Sequence, residues 1–219
     1  MKIAYPITMI TVFLCGCGSP SSPQSPEEKQ PAGPPANIQP VKKRIPTTKP
    51  HEITYKGFKI APMPGSPWRS PAGQSERRAL CAIIDESNLI HSILGMVTLS
   101  PPMSKENKER LTLQELQQFM ERNFRKTDNE RMKDIVYNSW IAERNGQTTI
   151  EFKGSGLDTG GKYSSVETPM KLFMRGFATI TGDGRILHVA VSERTPDPQA
   201  EPDLYHAKLF LDAISWENE

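Results

Sequence analysis

The chain has 219 residues, three cysteines and a formal net charge of +2. Residues 1–50 hold six cations and two acids, so residues 51–219 carry a net charge of about −2. A slightly acidic domain argues against a nucleic-acid-binding protein. Residues 51–219 are enough for one ordinary domain with its own hydrophobic core.

The N-terminus has the order of an export signal. Lys2 supplies a positive charge, and Ile7–Leu14 is an apolar run too short to span a bilayer. The residues that follow, Leu14-Cys15-Gly16-Cys17, resemble the lipobox of bacterial lipoproteins. The resemblance implies a signal peptide at 1–16 that is cut before Cys17, which then carries a thioether-linked diacylglycerol and further acyl chains such as palmitate. The alternative is an ordinary secretory signal, or an uncleaved short anchor, in which Cys17 is incidental.

The same resemblance implies a cellular address. Two or three acyl chains are needed to hold a protein on a membrane, since one chain binds only marginally. In enterobacterial lipoproteins an Asp after the lipidated Cys favours the inner membrane, and this chain has Gly18 there. We therefore expect a lipid-anchored envelope protein, on the outer membrane and facing the periplasm if the source has two membranes.

Residues 17–50 are predicted to be the lipidated Cys and a Pro-rich disordered tether. The stretch after Cys17 repeats Pro every few residues and holds almost nothing apolar to bury, so it cannot offset its ordering entropy. Lys42-Lys43-Arg44 either contacts an anionic surface or is a solvated cluster, and the second reading is favoured.

Strands are predicted over most of residues 51–219. Asn145-Gly146 and Gly182-Asp183-Gly184 are hairpin turns. The strand from 171 to 181 has apolar residues on both alternating faces, which indicates a central strand. The predicted strands are Ile53–Pro62, Ala79–Asp85, Ile93–Leu99, Ile135–Glu143, Thr148–Phe152, Lys171–Thr181 and Arg185–Glu193.

Two helices complete the prediction. Thr112 and Glu115 fit a capping box, followed by a stripe of apolar residues. Pro202 opens a final helix that runs to about Ser215 with a second stripe. The first stripe is Leu113, Leu116, Met120 and Phe124, beside Phe119, and the second is Leu204, Ala207, Leu211 and Ile214. The fold class is therefore α+β, a mainly antiparallel sheet of about six or seven strands with helices packed on its faces.

The layout resembles the PsbP-like sandwich, named for an extrinsic subunit of photosystem II. The matching features are Tyr-x-Gly-Phe at 55–58, Pro-x-x-Gly-x-Pro-Trp at 62–68, a central helix and hairpin, and a closing helix near Ile214-Ser215. The chain departs from the pattern in a Gly-rich insertion at 154–165. Members mostly act as accessory or assembly factors, and that implication is fold-level analogy.

Candidate chemistry is sparse. Asp158-Thr159-Gly160 matches the triplet of aspartic proteases, but it has no second copy, so a mobile hairpin loop is the preferred reading. Asp85 and Glu86 near His91 are candidates for a weak cation site, but adjacent acids at a turn are usually only solvated, and that reading is preferred. The histidines, none at a ligand spacing, are His51, His91, His188 and His206. No metal and no cofactor are predicted.

The remaining side chains are interpreted as packing. Cys81 in Ala79–Ile84 is predicted to be a buried small hydrophobe rather than a nucleophile. Trp68, Trp140 and Trp216 are predicted at the core or its rim, with Trp216 the best candidate for an exposed contact. The sequence thus predicts a non-enzymatic accessory or assembly factor that binds another protein; the alternatives are a small-molecule or cell-wall-binding module and a hydrolase with a dispersed site.

Overall fold

The structure, a computed structural model, describes residues 53–55, 57–63, 67–69, 77–84, 92–125, 132–159 and 169–216. The predicted signal peptide, Cys17 and the predicted tether lie outside the described residues. His51, His91, Asp85 and Glu86 also lie outside them.

The described residues form short strands and helices first and long hairpins later. Their bounds are β1 (Ile53–Tyr55), β2 (Phe58–Ile60), β3 (Arg78–Ile84), β4 (Ser92–Leu99), α1 (Lys105–Arg110), α2 (Leu113–Arg125), β5 (Met132–Arg144), β6 (Gln147–Asp158), β7 (Met170–Ile180), β8 (Ile186–Thr195), α3 (Leu204–Asp212) and β9 (Ile214–Ser215).

The strands form two antiparallel sheets. The main sheet has six strands in the order β3-β4-β8-β7-β6-β5, and a small sheet has the order β1-β2-β9. The prediction of a mainly antiparallel sheet is confirmed. The strand predicted as central corresponds to β7, which lies inside the sheet between β8 and β6.

Local sequence signals account for two of the connections. Asn145 and Gly146 have φ angles of 53° and 75°, as the tight turn between β5 and β6 requires. At the start of α2 the Glu115 amide donates to Thr112 Oγ1 at 3.2 Å, and the Thr112 amide donates to Glu115 Oε2 at 2.9 Å. The predicted capping box is therefore confirmed, and Leu116, Met120 and Phe124 of its stripe are buried.

Two element predictions are wrong in detail, and one helix was missed. The predicted strand 53–62 is the hairpin β1-β2, because Gly57, with φ 99°, turns the chain back. The predicted final helix ends at Asp212, and Ile214 lies in β9 instead, while Leu204 of its stripe is 53% exposed. Helix α1 was not predicted, because it buries none of its residues and so has no apolar period.

One cross-strand row defines the front face of the main sheet. Antiparallel register partners point to the same side of a sheet, so a row of partners crosses all six strands on one face. Burial decreases along this row: its first four members are fully buried, and the last is 44% exposed. The row is Ala79, Val97, Val189, Phe177, Glu151 and Trp140.

The small sheet and α3 contribute to the core cluster on the buried part of the front face. The cluster contains Phe58, Trp68 and Phe210 together with Val97 and other residues of the main sheet. The Trp68 and Phe210 rings lie 5.0 Å apart between centroids. Phe210 lies directly over Gly95 of β4, where a Cβ atom would be 2.6 Å from the Phe210 ring. The missing side chain of glycine thus leaves room for the Phe210 ring.

Gly95→Ala is expected to destabilise the fold by about 1–3 kcal/mol, because the added methyl group overlaps the Phe210 ring. In a Phe210→Leu background the same change should cost about 1 kcal/mol less, since the ring atoms that it meets are gone. Urea unfolding of the single and double variants measures the coupling. Strictly additive costs would contradict the contact.

Candidate functional site

The β5, β6 and β7 part of the front face holds an open surface. Two further rows run parallel to the first, and all three become more exposed toward β5. Val136 is 56% exposed and Trp140 is 44% exposed. We call the following residues the open surface: Val136, Asn138, Trp140, Lys153, Ser155, Phe173 and Arg175.

Engaged basic side chains mark the two ends of this open surface. At one end the Arg144 guanidinium lies over the Phe177 ring, 4.7 Å from its centroid, and pairs with Glu151 at 2.8 Å and Asp212 at 3.2 Å. At the other end Lys171 Nζ lies 4.9 Å from the Phe173 centroid and donates to two backbone carbonyls at 3.1 and 2.9 Å. Both cations are held by the fold.

Two cations inside the open surface are placed differently. Lys153 of β6 and Arg175 of β7 are direct register partners, so they lie side by side on the front face. Lys153 is exposed and Arg175 is half-buried. Within the described part of the chain no ion pair joins either of them to a carboxylate. The open surface is therefore positive, although the domain as a whole is slightly acidic.

Strand β5 also forms an edge of the main sheet. Its first residues are irregular, because the register shifts between Lys133 and Val136 and Asp134 has a φ of 52°. From Val136 to Arg144 the pairing with β6 is regular. Val136, Trp140 and Ile141 of this stretch are exposed large hydrophobics.

Asp158 does not lie in the predicted mobile loop. It is the last residue of β6, is buried, and its Oδ2 lies 3.3 Å from Arg194 Nε. The prediction of a Gly-rich loop at 154–165 is therefore wrong for residues 154–158, which pair with β5 and β7. The carboxylate of the Asp-Thr-Gly triplet is thus paired with an arginine of β8. Residues 160–165 lie outside the described part.

Two of the four histidines can be placed. His188 lies on β8 behind the front face and stacks on Phe152 with ring centroids 5.3 Å apart. Burial lowers the pKa of His188 to about 4, so it is neutral at pH 7. His206 is half-buried on α3, and its Nδ1 lies 2.6 Å from Asp203 Oδ2.

The carboxylates near His206 cap α3. Burial of Asp203 favours a higher pKa, but hydrogen bonds from the His206 side chain and backbone outweigh it and hold the pKa low. Asp203 Oδ1 accepts from the His206 amide at 2.9 Å, which is an N-cap bond. The buried Glu193 in turn accepts from the Asp203 amide at 2.7 Å. This cluster stabilises the start of the helix.

The tryptophans are distributed differently from the prediction. Trp68 is buried in the core, as expected. Trp216, the predicted exposed contact, is half-buried and packs on Phe177 with centroids 5.2 Å apart. Trp140 is the exposed one. Cys81 is buried on β3, as predicted.

The described ranges hold no group of three or more His, Cys, Asp or Glu side chains that could bind a metal. Over the same ranges no helix has the length and apolar character needed to cross a membrane. No family model matches the chain, and no curated protein matches it either.

Sequence reasoning missed the open surface, although part of its signal was available. A two-residue Asn-Gly turn fixes the register of β5 against β6, which places Trp140 beside Glu151 and Asn138 beside Lys153. That register, combined with alternation, predicts one exposed face on the hairpin. The pairing of Lys153 with Arg175 joins β6 to β7 across a longer connection and has no local sequence signal.

The buried His188 is expected to make stability depend on pH. Its pKa is about 4 in the fold, below the ordinary value of 6.5 for an exposed histidine. The unfolded chain therefore binds a proton first, and stability present above pH 6.5 falls by about 3 kcal/mol as the pH drops to 4. His188→Gln should remove this part of the decline, measured by urea unfolding at both pH values. His206→Gln is the control, and an unchanged decline in His188→Gln would contradict the assignment.

Proposed function

We propose that this chain is a non-enzymatic bacterial lipoprotein, anchored through a lipid on Cys17, whose domain binds a partner protein as an accessory or assembly factor. The observation that supports the proposal is the difference between the two edges of the main sheet. Unpaired strand edges are templates for other strands, and proteins normally cover or charge them.

The β3 edge is covered at Ala82. Arg69 forms an isolated bridge with Ala82, with N–O distances of 2.9 and 2.6 Å in the two directions. The preceding Trp68 is buried, and its indole Nε1 donates to the His206 backbone oxygen at 3.3 Å. A core residue thus anchors the segment that covers this edge.

The β5 edge has no such cover among the described residues, since no described strand pairs with its outer side. The seven residues 136–142 contain no charged residue and no Pro, the residue types that usually protect an edge. The bulge near Asp134 protects only the beginning of the strand. This stretch is suited to accept an extended segment of another protein by strand addition.

Exposed side chains would add to such binding. Trp140 offers a large amphipathic surface on the front face, and tryptophan is enriched in the energetically dominant positions of interfaces. Val136 lies on the same face of β5, four residues before Trp140. Backbone hydrogen bonds along β5 would supply affinity, while these side chains would supply specificity.

The remaining parts of the proposal are consistent with this role. The lipid anchor and tether would place the domain at the envelope membrane, the outer one in a bacterium with two membranes. The full α+β architecture, with helices on the sheet faces, is part of the proposal; the contact of Phe210 with Gly95 and the stacking of Phe124 on Tyr137 at 4.1 Å support it. The PsbP-like resemblance favours an accessory role by analogy.

A photo-crosslinking amino acid at position 140 of the full chain, expressed in its own envelope, should yield a discrete adduct with one partner. Tyr205 is the matched control position, because it is an aromatic residue on α3 with 72% exposure. Crosslinking at 205 should yield no such adduct. The expected readout is an adduct at 140, identified by mass spectrometry.

Cys17→Ala supplies the second arm. The unlipidated form should leave the membrane fraction and lose most of the adduct, because anchoring raises the local concentration of partners. Equal crosslinking at 140 and 205 would contradict the use of β5. A Cys17 without lipid in the wild-type chain would contradict the anchor.

A further inference from the structure

The Lys153–Arg175 pair is unfavourable in the isolated chain. Side chains directly opposite each other on an antiparallel pair have Cβ atoms about 5 Å apart, and like charges at this distance repel. The register places these two cations in that relation. A fold that only needed a solvated surface would gain stability from an acid at either position.

The acids that border this cation pair are already engaged. Glu151 lies next to Lys153 on β6 and pairs with Arg144 at 2.8 Å. Glu193, on β8 beside Phe173, accepts a hydrogen bond from the Asp203 backbone amide at 2.7 Å. The positive charge of the open surface is therefore left to a group from outside the described residues.

The cation pair is continuous with the β5 edge. Asn138 of β5 is the register partner of Lys153, and Trp140 lies in the adjacent row. Lys153 lies one strand inward from the edge, and Arg175 lies two strands inward. Neighbouring strands are about 4.8 Å apart. A segment that leaves the edge and crosses the open surface would pass both cations, with Phe173 beside them.

We propose that the partner contributes an extended acidic segment that leaves the β5 edge and crosses the open surface, where its carboxylates bind Lys153 and Arg175. The proposal rests on the proposed function and specifies its partner. Charge complementarity carries it, since two opposed cations without a described counter-ion fit a chain of carboxylates. The aromatic and amide side chains around these cations can contact the apolar side chains and the backbone of the same peptide.

Fluorescent poly-L-glutamate is the probe, with binding to the full chain in non-ionic detergent followed by anisotropy. The wild-type chain should bind it, and affinity should fall as salt is raised. Lys153→Glu with Arg175→Glu should weaken binding at least tenfold. The control, Lys105→Glu with Arg122→Glu, makes the same change in net charge at exposed positions on α1 and α2 and should leave binding within twofold.

A second measurement separates binding from folding. Lys153→Glu alone replaces repulsion with attraction toward Arg175, so it should raise the unfolding temperature while it weakens binding. A lowered unfolding temperature would overturn the inferred repulsion. Failure of poly-L-glutamate to bind, or equal loss in the control, would overturn the acidic segment.

Heparin and phosphatidylglycerol vesicles test the other polyanions. Binding of either one that depends on Lys153 and Arg175, without binding of poly-L-glutamate, would assign the surface to a glycan or a lipid and overturn the inference. A position-140 adduct that survives the double charge reversal would overturn the acidic segment and leave the proposed function standing. Loss of the position-140 adduct in the Lys153 and Arg175 double reversal, with the adduct retained in Lys105→Glu with Arg122→Glu, supports both.

Discussion

The register of the six-stranded sheet is the constraint on which the rest of the structure depends. Antiparallel partners share a face, so Ala79 at one edge and Trp140 at the other belong to one continuous surface. The small sheet and α3 share the core cluster with the part of this surface from β3 to β7. The remainder faces outward. A slip of one residue in any strand would exchange its buried and exposed side chains.

The covered part depends on a close approach. Phe210 occupies the space over Gly95, and Trp68 packs beside Phe210. The same Trp68 holds the segment in which Arg69 closes the β3 edge. One packed cluster thus buries the front of the sheet and protects one of its edges. Because no equivalent cluster lies on the front of β5 among the described residues, the front face is asymmetric, and this asymmetry supports the proposed binding role.

Several features of the fold could be predicted because their causes are local. The Asn145-Gly146 turn, the capping box at Thr112 and the doubly apolar pattern of β7 each act within a few residues. The turn at Gly57 and the early end of α3 were missed. The first depends on one glycine with a positive φ, and the second on Ile214 pairing with the distant Ile60.

The candidate site was harder to predict, because part of it depends on pairing between distant segments of the chain. Trp140 and Lys153 lie in one hairpin, so their common face follows from the turn. Arg175 lies beside Lys153 only through the β6-β7 pairing, and Trp140 is exposed because it lies outside the core cluster to which the small sheet and α3 contribute. These are tertiary properties without a local sequence signal. Asp158 failed as a loop prediction because its pairing partners lie on two other strands.

Amide hydrogen exchange of the full chain tests the asymmetry most directly. An edge strand bonds to its neighbour through every second residue, so amides in Val136–Glu143 should alternate between slow and fast exchange. The Ala82 amide on β3 should exchange slowly, because it donates to Arg69 O at 2.6 Å. Uniformly slow exchange along β5, equal to that of β7, would mean that this edge is covered and would contradict the central claim.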